Sequence, residues 1–179
     1  MNRTGSRIAR LRTARAVVFA AAALGIASIL RADDVSLVPG TTVKQAIGGR
    51  VRGTVQSESP TEVVVTLGTN TVTVPTDQIV SIRYDGQSAN YQLGETREAA
   101  GQLAEAAELF KKAATESAAR PFPHQAALFR EAKVLCDLSA VEPDRVKEAN
   151  DKLNQYIRSY PAGRHIAATH SVIACASLS

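Results

Sequence analysis

Two hydrophobic periodicities follow one another along the chain and divide it into two regions. From residue 35 to residue 84 apolar and polar positions alternate, as they do along strands with one buried face. Clusters of Gly, Pro, Asn and Ser interrupt the alternation and leave four predicted strands, at residues 51–56, 62–67, 71–74 and 79–84. Residues 41–47 fit either one helical turn or a further strand. The pattern predicts a small antiparallel sheet or barrel over residues 35–86.

After Asp85-Gly86 the period changes to about 3.6 residues, which is typical of amphipathic helices. In residues 103–114 the apolar side chains recur at steps of three and four and form one stripe. Further helices are predicted at residues 125–138 and 145–160, and another begins near His165. The chain is therefore expected to have an α+β fold, with a small sheet or barrel followed by an array of helical hairpins.

The ends of these helices are marked by prolines and by a capping residue. Pro121 and Pro123 are expected to stop the helix over residues 103–114, because proline lacks the N–H that a helix interior requires. Asp144 is predicted to cap the helix over residues 145–160, since aspartate accepts a hydrogen bond from the first helical turn.

The first 32 residues have the build of a secretory leader. Residues 1–15 contain five arginines and no acidic residue, and an apolar run follows over residues 16–30. This order predicts a signal peptide cleaved after Ala32, or an uncleaved N-terminal anchor. The protein is therefore expected to be exported, either to the periplasm or to the cell envelope.

The leader also changes the meaning of the net charge, which is +4 for the whole chain. Six of the 21 basic residues and none of the 17 acidic ones precede residue 33, so the remainder is slightly acidic. Binding to nucleic acid depends on a basic surface, and we expect no such partner for an exported chain. The membrane is an expected partner only through an uncleaved leader. Cys136 and Cys175 could form a disulfide after export, but both lie in apolar helical patterns, where cysteine is also a small buried hydrophobe.

Small and bulky residues recur in the helical region at spacings that suit closely packed helix pairs. The first set is Leu93, Gly94, Gly101, Leu103, Ala106, Phe110 and Ala113, and the second is Ala149, Leu153, Tyr156 and Pro161. This pattern over residues 88–179 resembles the tetratricopeptide repeat, in which paired helices stack into a docking scaffold. The second set matches only half of a repeat. The region is therefore expected to be incomplete, either as a truncated product or as an array completed by the sheet or by a second copy.

The strand pattern of residues 35–86 resembles the small barrels of the Sm-like and SH3-like type. Sm-like barrels often bind RNA, and the resemblance implies this function only if the chain is not exported. The alternative is a module for packing or oligomerisation.

Four residues of the first predicted hairpin recur on the side opposite the apolar stripe: Ser88, Tyr91, Glu95 and Glu98. The resemblance to tetratricopeptide repeats implies that these four residues line the concave face, where peptide ligands dock. The alternative is an ordinary solvated helix face.

The sequence contains no pattern that indicates catalysis, a cofactor or a metal. His165 and His170 are five residues apart and do not share one helix face, so surface positions are expected for the histidines. The glycines of residues 48–53 precede a strand instead of a helix, which favours a tight bend over a phosphate loop. The sequence therefore predicts an exported non-enzymatic scaffold for a protein or peptide partner. The alternative is a structural protein of the envelope that binds a second copy of itself.

Overall fold

The computed structural model describes residues 32–170, so the predicted leader lies outside the described residues except for Ala32. Within this range five strands precede four helices, which confirms the predicted α+β class. The strands are β1 (Asp33–Leu37), β2 (Arg50–Glu58), β3 (Glu62–Leu67), β4 (Asn70–Pro75) and β5 (Ile79–Arg83). The helices are α1 (Ala89–Ala99), α2 (Leu103–Glu116), α3 (Pro121–Ser139) and α4 (Val146–Ser159), and residues 166–170 begin a further helical segment.

The strands pair antiparallel in the order β4-β3-β2-β1-β5 and form an open sheet. Alternation predicted β2 to β5, but it did not single out β1, which occupies a central position between β2 and β5. The buried carboxylate of Asp33 helps to fix that position. It accepts hydrogen bonds from the backbone N–H of Val55 at 2.7 Å and of Asp85 at 2.8 Å.

A tight hairpin turn precedes β2. Residues 41–47 form turns instead of the predicted helical turn or strand, and Ile47 and Arg50 then bridge across Gly48 and Gly49. Both glycines have positive φ, +59° and +71°, the conformation that a two-residue hairpin loop requires at its central positions. The glycine-rich segment is therefore the tight bend that the sequence predicts.

The inner face of the sheet is almost entirely aliphatic. Its alternate positions are buried, as the period of two requires. They include Val35, Leu37, Val51, Val55, Val63, Val65, Val72, Val74 and Ile82. β2 pairs with β1 through its first half and with β3 through its second half, and its register with β3 shifts between Val55 and Ser57. An irregularity of this kind bends a strand and lets the small sheet curve around its core.

Two helix boundaries differ from the prediction. α2 ends before Pro121, as expected, but α3 begins at Pro121 and includes Pro123. Proline is tolerated in the first turn because the N–H groups there have no intrahelical partner. Asp144 does not cap α4, because it lies in a 3₁₀ turn and α4 starts at Val146 without a side-chain cap.

α1 and α2 pack closely at Gly94. A Cβ atom on Gly94 would lie 2.9 Å from the ring of Phe110, so only glycine allows the helices to approach this far. The Tyr91 ring meets the Phe110 ring edge to face, with centroids 5.3 Å apart. Such aromatic pairs add about 0.5–1.5 kcal/mol to the stabilisation from burial alone.

Most residues predicted to pack the helices are buried. They are Gly94, Ala106, Phe110, Ala113, Ala149, Leu153 and Tyr156, while Leu103 is half-buried and Gly101 and Pro161 are exposed. Leu93 departs from the prediction, since it is 43% exposed. Within residues 32–170 no element covers that side of α1, and this explains the exposure.

The sheet and the helices share one hydrophobic core, but few side chains connect them. Tyr84 stacks on Phe122, with ring centroids 6.4 Å apart. Arg120 donates hydrogen bonds to the backbone carbonyls of Gly86, at 2.7 Å, and of Asp85. A third connection, through Glu58, is described with the candidate site.

Candidate interaction surface

Ion pairs join α1 to α3 along one side of the helical array. Arg130 of α3 lies 3.2 Å from a carboxylate oxygen of Glu95 and 3.3 Å from one of Glu98. Lys133 approaches Glu98 at 3.3 Å and Asp137 at 2.6 Å. We call Glu95, Glu98, Arg130 and Lys133 the inter-helix charge row.

The predicted stripe on α1 is divided between two roles. Ser88 caps α1 by accepting a hydrogen bond from the N–H of Asn90 at 3.0 Å, and its hydroxyl donates to Glu116. Tyr91 is only 8% exposed, and burial raises its pKa to about 12, so the phenol stays neutral. Only Glu95 and Glu98 of the predicted set belong to the charge row, which leaves two of the four residues with mainly structural contacts.

The charge row rests on an aromatic support. The guanidinium of Arg130 lies over the Phe110 ring at 5.6 Å, a distance at which a cation is attracted to the face of an aromatic ring. The second carboxylate oxygen of Glu98 is buried and has no hydrogen bond of good geometry, although Arg130 is nearby. The ion pairs of the row therefore leave hydrogen-bonding capacity unused.

A buried carboxylate connects the end of β2 to the helices. The Glu58 side chain is 1% exposed and accepts hydrogen bonds from the hydroxyl of Tyr84 and, at 3.0 Å, from the amide of Gln125. Arg164, which follows α4, places its Nε 3.6 Å from the same carboxylate. We call Glu58, Tyr84, Gln125 and Arg164 the junction cluster.

Burial sets the protonation behaviour of this cluster. It raises the pKa of Glu58, and the charge of Arg164 and the hydroxyl of Tyr84 offset only part of that effect. Burial, and then the neighbouring Glu58, raise the pKa of Tyr84 as well. The buried Glu58 carboxylate is thus the shared hydrogen-bond acceptor of Tyr84 and Gln125.

His165 is half-buried beside the junction cluster. Its ring stacks on Phe129, with centroids 4.1 Å apart and an interplanar angle of 2°. Burial, and then the charges of Arg164 and Arg130, lower its pKa to about 3. The surface position expected for the histidines is therefore wrong for His165, while His170 is exposed.

We expect the stability of the protein to fall as the pH drops, because His165 is neutral in the fold. An unfolded histidine has a pKa of about 6.5, so the unfolded chain binds the extra proton first, and stability is lost from about pH 6.5 downward. Phe at position 165 can keep the stack on Phe129 but binds no proton. His165→Phe should therefore reduce the fall in the free energy of unfolding between pH 7 and pH 5 by about 1–2 kcal/mol. Urea denaturation at the two pH values measures the difference.

The exposed His170 provides the control for this prediction. His170→Gln changes an exposed histidine that takes no part in the stack on Phe129, and its denaturation is measured alongside. An equal loss of stability in the wild type and in His165→Phe would contradict the assignment to His165.

The described residues contain no group of three His, Cys, Asp or Glu side chains arranged to hold a metal ion. No helix within residues 32–170 is both long enough and apolar enough to cross a bilayer. Cys136 is half-buried in α3, and Cys175, the cysteine with which it could pair, lies outside the described residues.

Sequence reasoning missed the partners that complete both groups of charges. Arg130 and Lys133 lie on α3, whose register the sequence did not fix, and Arg164 is far from Glu58 along the chain. Glu58 lies just beyond the strand predicted for residues 51–56, and the structure extends this strand to include it.

Comparison with known proteins gives no relative for this chain. No protein-family model, no curated protein and no solved structure matches it. The two groups of charges are thus the basis on which a function can be argued.

Proposed function

We propose that the protein is an exported, non-enzymatic scaffold that binds a protein or peptide partner along the side of its helices that carries the inter-helix charge row. The observation that carries the proposal is that α1 and α3 present acidic and basic groups side by side while remaining partly exposed. A peptide with charges of both signs could exchange these ion pairs for its own, since exposed ion pairs stabilise a fold by only about 0–1 kcal/mol.

The helical packing supports the tetratricopeptide-like part of the proposal. Such repeats need a small residue where paired helices cross and a bulky one between them, and Gly94 and Phe110 meet that requirement. Consecutive helices pack on one another in order, from α1 to α4. The bent β2 and the short hairpins are compatible with an Sm-like or SH3-like module, which we assign a packing role.

The binding proposal is tested by selecting peptides from a random displayed library with the full chain. We expect the selected peptides to share a charge pattern and to bind at least tenfold more weakly to a Lys133→Glu variant. Lys112→Glu changes the charge of an exposed α2 position by the same amount and should leave binding unchanged. Circular dichroism should first show that both variants are folded.

Two outcomes would count against this function. Peptides that bind both variants equally would show that the charge row is not the site. A failure to select any peptide, together with light scattering that shows a stable assembly, would favour the self-associating structural protein; the exposed Leu93 would then be the first contact to examine.

Export is a separate part of the proposal and needs its own measurement. Residues 1–40 should direct export of a fused reporter that is active only outside the cytoplasm. An inactive fusion would remove the envelope setting and would bring the nucleic-acid alternative back into consideration.

A further inference from the structure

The outward face of the sheet carries a row of arginines across three neighbouring strands. Asp34 of β1 is paired with Arg52 of β2 on one side and with Arg83 of β5 on the other. Residues directly opposite in antiparallel strands project to the same face, and so do alternate residues of one strand. Arg50, two positions before Arg52, therefore belongs to the same face.

The basic charge on this face exceeds the acidic charge that could neutralise it. Arg50 and Arg52 share one oxygen of Asp34, at 3.2 and 3.3 Å. Arg83 forms no ion pair within residues 32–170, and neither does Lys44, which is exposed in the loop three residues before Ile47. Asp85 is the other acid close to the row, because it lines the same groove as Arg52 and Arg83.

The remaining acids of the sheet region lie away from the arginine row. Asp33 and Glu58 are buried in the contacts described above, Glu62 pairs with Pro75 at the far end of β3, and Asp77 lies in a 3₁₀ turn. All four basic residues of the sheet region are exposed, in contrast. Residues 33–88 contain slightly more acidic than basic residues, but the basic ones are exposed and three of them share the outward face. That face is therefore positively charged.

The aliphatic side chain of Ile47 lies beside these arginines, directly before the two-glycine hairpin turn. Ile47 is 86% exposed and bridges to Arg50 across the two glycines. A concavity of about 400 Å³ is lined by Ile47 and Arg50 together with Gln45, Arg52 and Leu67. Single exposed apolar residues are ordinary, but an exposed isoleucine flanked by cations on a turn is the combination that suits a lipid–water interface.

The chain enters the sheet next to this face. Ala32 lines the same groove as Asp34, Arg52 and Arg83, with a volume of about 460 Å³. The preceding 31 residues contain the basic and apolar segments described above. A bilayer that holds the leader, during export or afterwards, is therefore brought close to the arginine row.

We propose that the outward face of the sheet docks on the surface of an anionic lipid bilayer. Arg50, Arg52 and Arg83 lie at the level of the lipid phosphates, Lys44 of the adjoining loop adds a further cation, and Ile47 enters the interface beside them. Anionic headgroups attract clustered basic side chains near a membrane, and the attraction falls off within a Debye length. Nucleic acid also attracts arginine, but it offers no apolar layer for Ile47. The bilayer is therefore the better match for the whole face.

The absence of tryptophan from the chain gives this proposal a direct test. Ile47→Trp and Val141→Trp each introduce a single fluorescent reporter in the full chain, at positions that are 86% and 74% exposed. Vesicles that contain phosphatidylglycerol should shift the emission at position 47 to shorter wavelength, and brominated lipid should quench it. Position 141 should show neither effect. The leader is present in both variants, and the charge reversals below test whether tethering by the leader alone produces the difference.

Charge reversal then separates docking by this face from simple tethering. Lys44→Glu with Arg83→Glu in the Ile47→Trp chain should abolish the shift, because the two changes remove positive charge on and next to the outward face. Neither residue forms an ion pair within residues 32–170, so the fold should be retained. Lys112→Glu with Arg158→Glu changes the net charge equally on exposed helix positions and should keep the shift. Vesicles of phosphatidylcholine alone should give little response.

Three results would overturn the proposal. They are equal responses at positions 47 and 141, a shift that survives reversal of Lys44 and Arg83, and a response at position 47 to a single-stranded oligonucleotide but not to anionic vesicles. The last result would assign the face to nucleic acid. Because the peptide selection contains no lipid, failure here leaves the proposed partner-binding function separately measurable.

Discussion

Replacing Glu58 with alanine is expected to lower the free energy of unfolding by about 3–5 kcal/mol, the usual cost of removing one partner from a buried ion pair. The substitution leaves the guanidinium of Arg164 with an uncompensated buried charge and removes the acceptor for Tyr84 and Gln125. It also removes one of the few connections between sheet and helices. Urea denaturation at neutral pH measures the change.

Two further variants show whether the effect comes from the junction cluster. Glu62→Ala removes an exposed carboxylate four residues away and should cost no more than about 0.5 kcal/mol. Arg164→Ala combined with Glu58→Ala should cost clearly less than the sum of the single changes, because contacting residues are not additive. Strict additivity would contradict the ion pair, and a cost below 1 kcal/mol for Glu58→Ala would contradict the cluster as a whole.

The pH dependence of Glu58 has the opposite sign to that of His165. Because burial raises the pKa of Glu58, its contribution to stability is greatest below the pKa of the unfolded glutamate and is lost as the pH rises through the folded value. The stability of Glu58→Gln relative to that of the wild type should therefore be highest at high pH. This comparison is a control on the cluster and uses the same denaturation measurements.

Replacing Phe110 with alanine is the second change with a large expected effect, about 3–5 kcal/mol of stability. The ring is fully buried, fills the space above Gly94, contacts Tyr91 and supports Arg130. Its loss leaves a cavity between α1 and α2 that backbone shifts can close only in part. Thermal and urea denaturation, followed by circular dichroism, measure the loss.

Leu93 provides the matched control, since it lies on the same hairpin but is largely exposed. Leu93→Ala should change stability by no more than about 0.5 kcal/mol. If the two substitutions cost the same, Phe110 would not be the centre of the hairpin. A Phe110→Ala protein that is stable but binds selected peptides weakly would instead show that Arg130 depends on the ring for its position.

The elements that the sequence predicted well are those with a strong local period. β2 and β4 alternate, β3 is rich in β-branched residues, and the stripe of α2 recurs at helical spacing. β1 was not singled out because it is short and begins with two aspartates, one of which is buried by backbone contacts that only the folded sheet supplies. The predicted start of α3 was too late because Pro121 and Pro123 were treated as helix breakers. In the structure they lie in the first turn of α3, where proline is tolerated.

The candidate site was predictable only where its residues share one helix. Glu95 and Glu98 follow from the stripe of α1, whereas Arg130 and Lys133 depend on how α3 packs beside it. The junction cluster combines residues from β2, the end of β5, α3 and the segment after α4, and no local pattern relates them. His165 was assigned to the surface because nothing nearby in the sequence announces the stack on Phe129.

The central position of β1 has a consequence for the order in which the protein folds. Each helical hairpin joins neighbours in sequence and can form early, but Asp34 and Val35 meet their second partners only at Arg83 and Ile82. Contacts that close long stretches of chain form slowly, because the entropy of the intervening loop is lost before the contact contributes. As the chain emerges from its N-terminus, β1 therefore lacks its second neighbour until β5 has been made. Its unpaired edge is a place where aggregation can compete with folding.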